Sequence, residues 1–479
     1  MLKRRIYQSL SAAVLALTVG ACKAPQLVQK QESRTVPASY AGSPQDSAAT
    51  AGNIQWKEFF TDPHLVALID TALLRNQELN ITQQEIELAR QEVRARKGEY
   101  LPTVGLGAAA GVEKAARYTL PGATEENVDI KPERRTPDPL TDFQAGAYAS
   151  WEVDIWHKLR NAKKAAASRY LASVEGRNFT VTNLIAEIAN SYYELLALDN
   201  QLAIVQQNID IQTNALKAVR LQKEAARVTE LAVRRFEAQV HNTQSLQYGI
   251  QQRIIETENR LNFLVGRYPQ PVARNAASFT ELVPLAVRAG VPAQLLHNRP
   301  DIRQAEQNLV AAKLDVQVAR TNFYPSLRIT GAVGTAAFQP GLLATWPESM
   351  LLSLAGDVAA PLINKNGIKA LYYSANARQT QAVYNYERTV LNAYVEVANQ
   401  VASIRNLEKS YGEKAQAVQA LNESNTISNN LFRSARADYT EVLFTQRDAL
   451  ESKFDLIETK MQQLNASVNV YRALGGGWN

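Results

Sequence analysis

Tyr100-Leu101-Pro102-Thr103-Val104-Gly105-Leu106 is the point where one hydrophobic period stops and another begins, and the chain spells that junction twice. Before it, Leu79, Ile86, Val93 and Tyr100 recur every seventh residue, the spacing of a helix seam. After it, Val104, Leu106, Ala108, Ala110 and Val112 alternate with Thr103, Gly105, Gly107, Ala109 and Gly111. That period of two belongs to a strand with unlike faces. The second junction is Phe323-Tyr324-Pro325-Ser326-Leu327-Arg328-Ile329, preceded by Ile302, Leu309 and Val316 at heptad spacing. The offset from Leu79 to Ile302 and from Pro102 to Pro325 is the same 223 residues. In both copies proline forces the preceding residue out of the helical region and ends the helix.

Each junction opens a pair of strands and then a second, longer helix. Phe143, Ala145, Ala147, Ala149, Trp151 and Val153 alternate after a charged, proline-bearing loop of about thirty residues. In the second copy Leu352, Leu354, Gly356 and Val358 follow a shorter loop. The long seams are Val174, Val181, Ile188, Leu195, Leu202 and Ile209, then Val383, Val390, Val397, Ile404, Tyr411 and Val418. Some sixty residues of helix span ~90 Å, a rod that must lie against other rods rather than inside a globule. A turn near Ala226 to Thr229 leads into Val233, Val240, Ile254 and Leu261, ending at Gly266. The matching run is Leu443, Leu450, Ile457, Leu464 and Tyr471, ending at Gly475. The fold class is therefore mainly α with a smaller β section, built from a duplicated helix-strand-strand-helix unit, which excludes most enzyme folds.

Composition agrees. Aromatics are 8% and charged residues 20% of the 479, as in long helical rods. Without Lys3, Arg4 and Arg5, the 52 basic residues fall to 49 against 46 acidic, so no nucleic-acid partner is indicated. The single cysteine, Cys22, ends Val19-Gly20-Ala21-Cys22 behind a basic, then apolar leader. This resembles a lipobox, which makes Cys22 the lipidated N-terminus and the only covalent group expected, with no cofactor. Lys23, in place of an inner-membrane retention aspartate, points to the outer membrane. No mature apolar run reaches the ~20 residues a spanning helix needs. The four histidines share no ligand spacing, so no metal site is expected. Gly105-x-Gly107-x3-Gly111 lies on a strand and opens no helix, so it is wall rather than a nucleotide loop.

Strands of about ten residues have the length of tilted transmembrane strands. Four cannot close a barrel, and an open edge in lipid leaves backbone groups unpaired. Closure requires other copies: two chains give eight strands, three give twelve.

The order of several motifs is similar to that of the bacterial outer-membrane efflux proteins, the TolC-like channels, in their acylated NodT-type branch. They are Trp56-Lys57-Glu58-Phe59-Phe60-Thr61-Asp62-Pro63, Ser150-Trp151-Glu152-Val153-Asp154, Leu264-Val265-Gly266-Arg267-Tyr268-Pro269, Arg299-Pro300-Asp301-Ile302 and Phe323-Tyr324-Pro325-Ser326-Leu327. The resemblance implies a homotrimer with a twelve-strand outer-membrane β-barrel continued by a periplasmic α-helical barrel. It implies a passive exit duct for small toxic compounds, with a periplasmic adaptor and an inner-membrane resistance-nodulation-division transporter as partners. It places the periplasmic gate at the second hairpin tip, with Asp438, flanked by Arg436 and Tyr439, as the candidate. Expected divisions are leader 1–21, acylated arm 22–54, helices 55–100, strands 101–157, helical hairpin 158–267, linker 268–298, helix 299–323, strands 324–364, helical hairpin 365–475 and tail 476–479. The alternatives are a periplasmic adaptor lipoprotein and the outer-membrane duct of a type I protein secretion system.

Overall fold

The computed structural model describes residues 24–40, 52, 54–284, 290–434 and 436–478. Cys22 lies outside them. The chain divides into two units, each assembled from three separated stretches. The first comprises Met1–Gln31, Glu87–Tyr170 and Gln307–Val383, and the second Glu32–Ile86, Leu171–Glu306 and Tyr384–Asn479.

The first unit holds a four-stranded antiparallel sheet of order β1-β4-β5-β6. Its strands are β1 (Thr103–Glu113), β4 (Leu140–Val153), β5 (Ser326–Ala337) and β6 (Met350–Ala359). Each copy of the repeat supplies one neighbouring pair, β1 with β4 and β5 with β6, and β4 pairs with β5 across the duplication. The long loop between β1 and β4 has regular structure of its own. It carries helix α4 (Leu120–Asn127) and a small hairpin, β2 (Asp129–Lys131) and β3 (Arg134–Arg135). Thr119 caps α4, Arg117 pairs with Glu126, and Arg135 donates to the Glu126 carbonyl at 2.7 Å. Elements this short have too few turns or alternations to show a period.

Two further helices, α1 (Trp56–Phe59) and α2 (Pro63–Arg75), begin the core of the second unit, and α3 (Gln77–Glu99) follows. Asp62 accepts from the backbone N–H of His64 and Leu65 ahead of Pro63, the cap-plus-proline start that its sequence predicts. Its second oxygen accepts from the Tyr192 hydroxyl at 2.8 Å, which ties α2 to the long helix α5 (Lys158–Glu224). Phe59 stacks on Tyr471 at 4.1 Å inside one apolar cluster with Trp56, Leu65, Ile188 and Leu195. Gly266 ends α6 (Glu230–Val265) at φ +75°, and a Cβ there would meet the Arg75 carbonyl at 2.5 Å. Only glycine fits both the left-handed turn and that approach.

The helices of the second copy are α7 (Leu295–Asn298), α8 (Pro300–Thr321), α9 (Asn366–Arg433) and α10 (Tyr439–Ala473). Arg299, 7% exposed, explains the Arg-Pro-Asp motif. It donates to both oxygens of Asp301, to Glu396 at 2.9 Å and to the Ala473 carbonyl at 2.7 Å. Arg472 reaches the other oxygen of Glu396. One planar fork thus joins the start of α8, the middle of α9 and the end of α10, a geometry a lysine does not supply.

Residues 24–40 of the N-terminal arm have no helix or strand and are nevertheless packed. In the first unit Ala24 and Leu27 lie against a cluster containing Val316, Phe323 and Tyr372, and the Lys30 carbonyl accepts from Gln379. In the second, Arg34 pairs with Glu306 at 2.7 Å and Tyr40 stacks on Tyr394 at 5.4 Å.

Candidate functional site

The register decides what the sheet can do. Val104, Leu106, Ala108, Ala110 and Val112 of β1 lie level with Ala149, Ala147, Ala145, Phe143 and Thr141 of β4. Continuing outward come Leu327, Ile329, Gly331 and Val333 of β5, then Val358, Gly356, Leu354 and Leu352 of β6. Four weakly apolar alternations therefore sum to one almost wholly apolar face. It is uncovered: Leu106 is 86% and Leu354 80% exposed. Asp142, Gln144, Tyr148, Ser150, Glu152, Arg328, Thr330, Ser353 and Asp357 fall on the opposite face. Glu152, Arg328 and Asp357 stand at one level on three adjacent strands, and Lys158 pairs with Glu152 at 2.9 Å.

Gly107, Gly146 and Gly334 form a row across the polar face. A Cβ on Gly146 would meet the Val333 carbonyl oxygen at 2.5 Å, and one on Gly334 would press closer still on the Ala145 carbonyl. On the apolar face, Gly356 has nothing within 4 Å and Gly331 meets only ordinary contacts. The close approaches at Gly146 and Gly334 both lie on the β4–β5 seam, and side-chain directions converge on the inside of a bent sheet, so at that seam the polar face is the concave one.

Trp151 and Trp156 lie at the strand-to-helix junction between β4 and α5. Their indole N–H groups donate to the Tyr100 carbonyl at 3.2 Å and the Pro325 carbonyl at 2.7 Å. Asp154, its side chain 2% exposed, accepts from the backbone N–H of Leu159 and Arg160 at the start of α5 and from the Arg160 guanidinium. Burial alone would raise its carboxyl. The two backbone donors and the guanidinium outweigh burial and hold it below the ordinary 3.8. A depressed folded value means that this stabilisation is complete above the unfolded value and disappears as pH falls through the folded one. Hydrogen-exchange protection in the first turns of α5 is therefore expected to fall as the pH drops below the ordinary carboxylate range. Asp154→Asn is expected to start from lower protection and lose that pH dependence. An unchanged profile in the variant would remove Asp154 as its source.

The hairpin tips belong to the second unit. At the first, Arg227 N–H donates to the Gln222 carbonyl at 2.8 Å and Ala226 takes φ +54°, a helix stop that usually selects glycine. Lys223, Glu230, Arg234, Glu237 and Arg220 form an exposed chain of ion pairs beside it. At the second tip Arg436 N–H closes on the Leu431 carbonyl in the same way. Asp438 stands at the N-cap of α10, exposed, with no side-chain bond to the helix. Among the described residues neither Asp438 nor Arg436 has an ion-pair partner. Tyr439 is half-buried against a cluster of Leu216, Val219, Phe236 and Val442, which fixes the start of α10. Sequence reading missed the level row of Glu152, Arg328 and Asp357 and the glycine row, because strand register alone brings each together.

The antiparallel sheet is thus apolar on one face, polar on the other and, among the described residues, unpaired at both edges, the two-faced pattern of a β-type membrane strand. The sequence comparisons make the class specific. The family model described as outer membrane efflux protein matches residues 68–267 and 291–476, and the chain belongs to that family. It is an outer-membrane duct of an efflux system, not an enzyme. The chain is 29% identical to the solvent efflux pump outer membrane protein SrpC of Pseudomonas putida, covering 92% of this chain and 91% of that protein. It is 28% identical to the pyoverdine export outer membrane protein OpmQ of Pseudomonas aeruginosa, over 88% and 87% of the two. The open-state MtrE outer membrane channel of Neisseria gonorrhoeae superposes with a TM-score of 0.82 at 25% identity, over 95% of this chain and 98% of that one.

Proposed function

We propose that three copies close edge to edge, β6 of one against β1 of the next, into a twelve-strand barrel through which small toxic compounds leave the cell. One observation carries this reading. β1 and β6 each have a single partner while the sheet presents an uncovered apolar face, a combination that lipid tolerates only when the edges are closed. The efflux pumps named for the relatives support an inner-membrane transporter and a periplasmic adaptor as the partners that deliver cargo. Cys22 carries the lipid anchor, and the tip bearing Asp438, Arg436 and Tyr439 forms the periplasmic gate.

Membranes should yield a heat-resistant band three times the protomer mass that conducts ions in planar bilayers and takes up labelled palmitate unless Cys22 is replaced. A monomeric, non-conducting protein would favour the adaptor reading instead.

An exposed, unpaired aspartate repeated around a narrow opening concentrates cations. Asp438→Ala is therefore expected to raise single-channel conductance and weaken block by multivalent cations. If both quantities match those of the unaltered channel, Asp438 has no part in the gate.

A further inference from the structure

Tyr148 carries the only aromatic ring on the polar face of the sheet among the described strand residues. Its level is Gly105, Tyr148, Ala332 and Ser353, so every neighbour on that row is small. The ring does not stand away from the wall. A Cβ on Gly105 would meet both the ring carbon Cζ and the hydroxyl of Tyr148 at 2.6 Å. One on Gly107 would meet Cε1 at 3.5 Å. The side chain therefore crosses from β4 onto the bare backbone of β1 and lies over two glycines.

We infer that Gly105 and Gly107 form a bed that keeps Tyr148 folded against the pore wall, so that this residue pair sets the width of the duct at the level of the strands. The inference rests on the pore-face reading proposed above. Any side chain at Gly105 occupies the place of the phenol ring. The nearest free rotamers of Tyr148 then point along the Cα–Cβ direction, which on a concave face is toward the axis. In a barrel of this strand number the bore is only a few side chains wide, so a ring repeated in each protomer narrows it sharply. Gly111 lies on the same face of the same strand with nothing within 4 Å. A side chain there adds equal bulk and displaces no ring.

The test reads passage beyond the Tyr148 level rather than conductance, which a tip gate could limit. Thr330 lies on the polar face, paired with Ser150, one level closer to the helix-joined end of the strands. Thr330→Cys is labelled in whole cells from outside with N-ethylmaleimide and with a maleimide carrying a short polyethylene glycol chain. The unaltered chain, whose only cysteine is Cys22, supplies the background. Added to Thr330→Cys, Gly105→Leu is expected to slow the polymer reagent about tenfold while sparing the small one, as three inward rings would in such a bore. Adding Tyr148→Ala is expected to restore the polymer rate, and Gly111→Leu to leave it near the parent's. An unchanged polymer rate in the Gly105 variant, or a slowing that Tyr148→Ala does not reverse, overturns the inference. If the parent Thr330→Cys does not react even with the small reagent, the pore-face reading falls, and the inference with it.

Discussion

Gly146→Val and Gly334→Val are each expected to eliminate the heat-resistant assembled channel. Ordinary overpacking costs about 1–3 kcal/mol because neighbouring side chains adjust their rotamers. Here the obstruction is backbone: the Val333 carbonyl lies 2.5 Å from any Cβ on Gly146, and the Gly334 Cα lies at 2.8 Å. Neither can move without parting β4 from β5, the one seam that joins the two copies of the repeat in the sheet. Flattening that seam also removes the curvature that the proposed closure between protomers requires. Gly356→Val, on the convex face with open space around it, is expected to assemble normally. The measurement is the fraction of membrane protein in the unboiled oligomer band. A Gly146 variant that assembles at the unaltered level would show that the row is not a crease.

Arg299→Ala is expected to destabilise the protomer by about 3–5 kcal/mol, the usual result of removing one partner from a buried charge cluster. Asp301 and Glu396 would keep their charges with fewer donors, and the Ala473 carbonyl would lose its guanidinium. Arg299→Lys is expected to recover only part, because one ammonium cannot span a bidentate carboxylate and two further acceptors. A cycle that pairs Arg299→Met with Glu396→Gln isolates the coupling, expected at about 1–3 kcal/mol for groups in one network. Denaturant titration of the detergent-solubilised protein provides the measurement. A loss under about 1 kcal/mol in Arg299→Ala would reduce the network to surface-pair value.

Much of this was legible in the residues. The switch from a period of seven to a period of two at Pro102 and Pro325 located the strand pairs and showed the duplication. Asp62-Pro63 announced a capped helix, and Leu264-Val265-Gly266 a helix stop. These signals are local, set by backbone preference and by which side of one element is apolar. The elements inside the loop after β1 were not legible for the complementary reason, since an eight-residue helix and a two-strand hairpin are shorter than the windows in which periodicity exists.

By itself the sequence determined the elements, their order, their duplication and their need for neighbours, because each follows from hydrophobic spacing along a few consecutive turns or alternations. Only the tertiary structure decided which residues share a face or a level. Four weak alternations became one apolar face, Gly146 and Gly334 became one close backbone seam, and Arg299 found partners 97 and 174 positions away. Strand register and helix packing bring together residues far apart in the chain, and no local period encodes those distances.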